Sequence, residues 1–191
     1  TVHHHKYFRM EDYKNLEKQY SDHFDEPFAD YSSYPTLFLS HLARKKVTVC
    51  LSGDGGDEIF GGYGRYFLGQ RVVDVIGRLP ISLRKPLKDL GIFDNPITRN
   101  IPSSFLKDSV SNFPQKIRKL NHIFDFKDES DLYERLSTFR NNFLKYQLKQ
   151  RLSSLDIWEM DLTYAEKAMM QDTIDYLPGD ILKKVDQAGM S

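Results

Sequence analysis

Cysteine is nearly absent. Cys50 is the single one among 191 residues, which excludes an internal disulfide and argues against a cysteine-built metal site. It lies inside the apolar run Val47-Thr48-Val49-Cys50-Leu51, where a small buried side chain in a reducing compartment is expected. Charge of either sign is not in excess. The 27 Lys and Arg balance 27 Asp and Glu, so the whole chain lacks the electrostatic footprint of a nucleic-acid or anionic-membrane binder. Local runs such as Arg44-Lys45-Lys46 read as solvated helix ends. No apolar stretch approaches the ~18–20 residues of a membrane span and no secretory signal is visible, so the expected location is cytoplasmic. Internal repeats and low-complexity tracts are missing too.

Strands are equally scarce. One convincing strand falls at about residues 46–51, and a weak one near residues 2–6. A lone apolar strand cannot pair its backbone donors and acceptors. Such strands belong in parallel sheets of several strands, with helices on both faces. The rest of that sheet is not in these 191 residues, which begin without Met and stop at Gly189-Met190-Ser191. The expectation is a fragment of a larger α/β domain, itself mostly α-helical with one or two strands.

Helical periodicity fills most of the remainder. Tyr13, Leu16, Tyr20 and Phe24 share one face. Ser33 ahead of Pro35 predicts the start of a helix carrying Leu37, Phe38 and Leu42. A stripe of Leu68, Val72, Val75, Ile76 and Leu79 is stopped by Pro80. Further stripes run through Phe113, Ile117, Leu120 and Phe124, through Leu132, Tyr133, Leu136 and Phe139, and through Leu162, Ala165, Met169 and Thr173. Pro178 and Gly179 are read as the end of the last helix. Residues 91–112 read as a connecting segment and a candidate lid. The 13 Phe and 11 Tyr fall largely on these stripes, and such aromatics are core before they are a stacking platform.

Residues 52–63, directly after the apolar run, hold five glycines, three acids and a serine. Glycine lets the backbone approach a ligand, and clustered carboxylates call for a cation between them. A strand end, free amides and acids together suit a phosphate held through a divalent metal. The generic alternatives fail on spacing. Glu58 stands where a dinucleotide fingerprint needs its third glycine, no lysine provides a phosphate loop, and Asp54 and Asp57 are three apart, unlike a calcium loop. A plain turn stays open.

Three blocks in order resemble the synthetase domain of glutamine-hydrolysing asparagine synthetases. The first is Phe24-Asp25-Glu26-Pro27-Phe28-Ala29-Asp30, followed by Ser32 and Ser33. The second is Ser52-Gly53-Asp54-Gly55-Gly56-Asp57-Glu58-Ile59-Phe60-Gly61-Gly62-Tyr63. The third is Tyr176-Leu177-Pro178-Gly179-Asp180-Ile181-Leu182-Lys183-Lys184-Val185-Asp186. The resemblance implies that residues 1–191 are part of that domain, an adenine nucleotide alpha hydrolase-like parallel sheet. They would lack the N-terminal glutaminase domain and the upstream pyrophosphate loop. It implies ATP-dependent conversion of aspartate to asparagine through β-aspartyl-AMP, with nitrogen from glutamine or ammonia and Mg2+ as cofactor. The fragment alone is expected to be inactive. Small-molecule substrates and the glutaminase domain are the implied partners, with neither nucleic acid nor membrane, and a homodimer is one open assembly.

For the residues, the resemblance implies that Ser52, Gly53 and Gly55 lie against the adenylate and that Asp57 helps hold magnesium, a turn cap being the alternative for Asp57. Asp54 would orient ammonia or accept a proton, and Lys184 would meet phosphate charge, with loop capping and surface pairing as their alternatives. Asp25, Asp54 and Glu58 are the candidate substrate-binding set. Glu26 and Asp186 are weaker candidates. Gln187 and Gly189 depart from the family, which has Arg and Ser there, so another carboxylate, lactam closure or a non-catalytic helical scaffold stays open. Three adjacent histidines, His3-His4-His5, cannot share one strand face. A plain strand or tag remnant is therefore favoured over a metal site, and relatives with His-His near this point favour native sequence.

Overall fold

A computed structural model describes residues 3–24, 28, 30–89, 122–137 and 156–190. It divides into two compact units, Thr1–Gly62 with Gln171–Ser191, and Tyr63–Met170.

The first unit is built on helices that close their own backbone hydrogen bonds. α1 spans Met10–His23, with the Arg9 amide donating to Asp12 Oδ2 at 2.9 Å at its start. α2 spans Ser33–Arg44, beginning at the expected serine with Pro35 in its first turn. Leu16, Phe24 and Leu37 from this pair are buried together with Ala188 of the C-terminal helix Leu182–Gly189. Tyr20 stacks on Tyr34 at 4.3 Å between centroids, and Phe8 meets Phe38 edge-on at 5.2 Å. Fully burying Leu37 contributes about 1.5–3 kcal/mol. α3 is short, Gly56–Phe60, and a π-helical segment, Asp172–Ile181, packs against it.

The second unit contains α4 (Gly64–Ile76), α5 (Ile81–Asp89), α6 (Glu129–Ser137) and all but the last residue of α7 (Tyr164–Gln171). The helix after the π segment, Leu182–Gly189, is α8. Tyr66, Val72, Ile123, Phe126, Leu132, Tyr164 and Ala168 form the second unit's core. Arg84 is buried there and donates to three carbonyls, those of Leu79, Phe126 and Gly77, at 2.8–2.9 Å.

Several expectations need correction. No strand forms among the described residues, neither at 46–51 nor over 3–6, the described part of the expected 2–6. Val49 is 80% exposed and Leu51 fully so, and Cys50, expected buried, is exposed with them. The physical reason is the one that made the run informative: a strand needs neighbours to pair with. The α4 stripe is rotated from its expected face. Tyr66, Gly69 and Val72 are buried while Leu68 and Val75 are exposed. α4 ends ahead of Pro80 as expected but already at Ile76, so Leu79 lies beyond it, and α5 begins directly after the proline. Pro178 does not end a helix but sits inside the π segment Asp172–Ile181. Leu162 precedes α7 instead of lying on it. Phe113, Ile117, Leu120, Phe139 and the 91–112 segment lie outside the described residues.

Candidate functional site

The glycine–acid loop leaves the apolar run as an open chain and turns into α3 at Gly55. Gly55 has φ +87°, a left-handed conformation that costs a β-carbon-bearing residue about 1–2 kcal/mol. It is also buried, because the Leu177 methyls lie 3.5 and 3.6 Å from where its Cβ would be. Ile59 N–H donates to Gly55 O at 3.1 Å, fixing the first turn of α3. Asp57 and Glu58 fall in that turn, where the helix N-terminus favours negative charge. Glu58 is buried and Asp57 exposed. At the far end the Asp57 carboxylate folds over Gly62, whose absent Cβ would lie 1.9 Å from Oδ1.

Ser52, Gly53 and Asp54 face solvent. A Cβ added at Gly53 or Gly56 would meet no atom within 4 Å, so nothing in the described packing requires glycine at either position. The loop is therefore anchored at Gly55 and Gly62 and open between Ser52 and Asp54.

Lys184, on the first turn of α8, lies elsewhere in the same unit. Its side chain is 8% exposed, and Nζ donates to Asp30 Oδ2 and Ser32 Oγ, both at 2.6 Å. Ser32 Oγ in turn donates to Asp30 Oδ2 at 2.6 Å, and the Ser32 amide to Oδ1 at 2.8 Å. Burial alone would raise the Asp30 carboxyl, but the hydrogen bonds from Lys184 and Ser32 outweigh it and hold the group below its ordinary range. Asp180, on the π segment, is pushed the other way by its own burial and then by the negative charge of Asp30.

Of the residues predicted from sequence, Ser52, Gly53, Gly55, Asp54, Asp57 and Glu58 share this loop, and Leu177 joins the third block to it at Gly55. Lys184 is brought to the first block at Asp30, 154 positions away. Asp25 and Glu26 lie outside the described residues, and Asp186 is exposed. Sequence reading assigned no role to Asp30, Ser32, Leu177 or Asp180. All four stood inside or just after the quoted blocks, but only the fold supplies their pairing. Among the described residues no three His, Cys, Asp or Glu side chains gather closely enough to hold a metal. A lone carboxylate such as Asp57 would suit a magnesium ion shared with nucleotide phosphates and would not suit one held by protein ligands alone.

With this geometry in view, comparison with known proteins places the chain. The asparagine synthase family model matches residues 1–191, and the chain belongs to that family. Family membership implies an α/β domain, to which the described residues contribute helices. The chain is 55% identical over 84 residues to a provisionally named asparagine synthetase (glutamine-hydrolyzing) 2 of Methanocaldococcus jannaschii, covering 44% of this chain and 16% of that protein. Over 61 residues it is 46% identical to asparagine synthetase (glutamine-hydrolyzing) 1 of Bacillus subtilis, 32% of this chain and 10% of the relative. A provisionally named asparagine synthetase (glutamine-hydrolyzing) of Mycobacterium tuberculosis is 32% identical over 187 residues, 87% of this chain and 24% of the relative. The chain thus spans a quarter or less of the relatives it matches. No solved structure matches it significantly. Among the described residues, no helix is long and apolar enough to cross a membrane.

Proposed function

We propose that this chain is part of the synthetase domain of an ATP-dependent, AMP-forming amide ligase that converts aspartate to asparagine. The observation that carries the reading is the open Ser52–Asp54 end of a loop anchored by packing at Gly55 and Gly62, in a chain matched throughout by the asparagine synthase family. Bringing a carboxylate to an α-phosphorus means overcoming charge repulsion, so positioned donors and a cation are needed. On this reading the Ser52 hydroxyl and the amides of Gly53 and Gly55 lie against the adenylate of β-aspartyl-AMP. Asp57 is the residue that would hold magnesium, whose charge would screen the pyrophosphate. Asp54, solvent-facing at the open end, orients ammonia or takes its proton. Asp25 and Glu58 belong to the substrate side, and Lys184, held by Asp30 and Ser32, acts through that pairing instead of meeting phosphate charge directly.

A parallel sheet completed by other segments, a glutaminase domain supplying ammonia from glutamine, and a cytoplasmic location belong to the same proposal. So does homodimerisation. The test is an ATP–pyrophosphate exchange assay on the full-length protein with a panel of carboxylic acids. Aspartate-dependent exchange, ammonia-dependent AMP release, and a loss of about 100-fold or more in Asp57→Asn support the reading. Exchange driven by a different acid would reassign the substrate. No exchange with any acid would leave the scaffold alternative. The 191-residue chain by itself is expected to give none.

A further inference from the structure

We propose that Asp30, with Ser32 and Lys184, is a positioning device that keeps Leu177 seated against Gly55 and so holds the glycine loop in its open form. Its catalytic consequence rests on the amide-ligase reading, but the mechanical claim does not.

The geometry runs through one unit of the fold. Asp30 gathers the start of α2 around itself: Oδ1 and Oδ2 take Ser32, and its carbonyl accepts the Ser33 amide at 3.1 Å and the Ser33 hydroxyl at 2.6 Å. Tyr20 OH of α1 donates to Ser33 Oγ at 2.8 Å, so α1 is tied to the same point. Lys184 then brings α8 to it. Two of the three ammonium protons are committed to this triangle. A fully exposed ion pair would contribute little, but an ammonium this buried, with a partner only 24% exposed, is costly to strand.

From Lys184 to the loop the path is short. Leu182, two residues earlier, donates its amide to the Leu177 carbonyl across the junction of the π segment and α8. The Leu177 side chain is buried against Gly55, the left-handed residue that opens α3. Ala188, one turn after Lys184, is buried with Leu37 and fixes the other end of α8 to the α1–α2 pair. Without the Asp30 contact, α8 keeps its apolar anchor and loses its polar one, at the end nearest Leu177. The π segment is the element that shifts under such a release, since a π-helix is a rare, less favoured form than an α-helix.

The experiment is amide hydrogen exchange on the full-length protein, comparing Asp30→Asn, Lys184→Met, their double variant and Lys184→Arg with wild type. Expected is exchange faster by about tenfold or more across residues 53–62 and 177–189 in each single variant, no further gain in the double, and near-wild-type protection in Lys184→Arg. Faster exchange confined to 30–33 and 182–189, with 53–62 unchanged, overturns the proposal, as does a fully additive double variant. Ser32→Ala strands no charge and serves should Asp30→Asn fail to fold. It should loosen 53–62 to a smaller extent, and unchanged protection there overturns the proposal. In the exchange assay, a positioning role lowers kcat about tenfold or more with KM for ATP held within about twofold. A raised KM at unchanged kcat means direct ligand contact and sinks it. If wild type activates no acid, the functional reading fails while the hydrogen-exchange result still decides the clamp.

Discussion

Two apolar segments of this molecule meet opposite fates. Val47–Leu51 is the more hydrophobic to the eye, yet Val49 and Leu51 are 80% and 100% exposed. The face of α4 is interrupted by Gly69 and Gln70, yet Tyr66 is fully buried and Val72 nearly so. The difference lies in the backbone, not in the side chains. A helix satisfies its own amides and carbonyls, so it can form first and bury one stripe against any complementary surface. An extended segment carries unpaired groups until another strand lies beside it, and none does among the described residues. Hydrophobicity says what a segment would gain from burial, while hydrogen bonding decides what must already be present for burial to occur.

The comparison can be broken at its strong end first. Tyr66→Ala removes a fully buried ring from the second unit's core and should cost about 3–5 kcal/mol. Urea unfolding followed by Trp158, which packs 6.0 Å from the Tyr164 ring in the same unit, measures it. A loss below about 1 kcal/mol would mean that the core is not where stability resides.

In the first unit the expected effects are smaller and depend on pH. Asp30→Asn should cost about 1–2 kcal/mol at pH 7 through its charged hydrogen bonds. The folded carboxyl titrates below its ordinary value of 3.8, so its contribution is complete above that value and disappears as pH falls through the lower folded one. The difference between wild type and variant should therefore shrink toward zero in acid. Asp180→Asn has the opposite sign. A carboxyl raised above 3.8 in the folded state binds its proton more tightly there, so it subtracts stability as pH climbs past 3.8. Removing the charge should raise the urea midpoint at pH 7 and leave it unchanged below about pH 4. An unchanged or lowered midpoint at pH 7 would contradict that environment.

The smallest effect sharpens the comparison most. Leu51→Ala in the 191-residue chain should change stability by less than about 0.5 kcal/mol, since the side chain touches solvent. The same substitution in the full-length protein should cost about 2–5 kcal/mol if neighbouring strands cover the run. Equal, small effects in both would remove the proposed sheet.

Much of this was legible in the chain itself. The α1 stripe, the start of α2 at Ser33 and the three family blocks follow from local rules, because caps, helical spacing and signature residues act over a few positions. So does the glycine–acid loop as a feature demanding explanation. The rotation of the α4 face was not legible, because several apolar residues compete for burial and only packing partners such as Tyr164 and Leu132 choose among them. Passage of the π segment through Pro178 escaped for a related reason, since tertiary contacts with α3 accompany a backbone that local preference disfavours. By itself the sequence determined which family this chain joins and where its chemistry-bearing residues stand, since both depend on residue identity and short spacings. Only the tertiary structure decided that Lys184 meets Asp30 across 154 positions, that Leu177 closes on Gly55, and that Val47–Leu51 stays exposed. Those outcomes depend on which surfaces are present to pair, and no local pattern encodes a partner that distant.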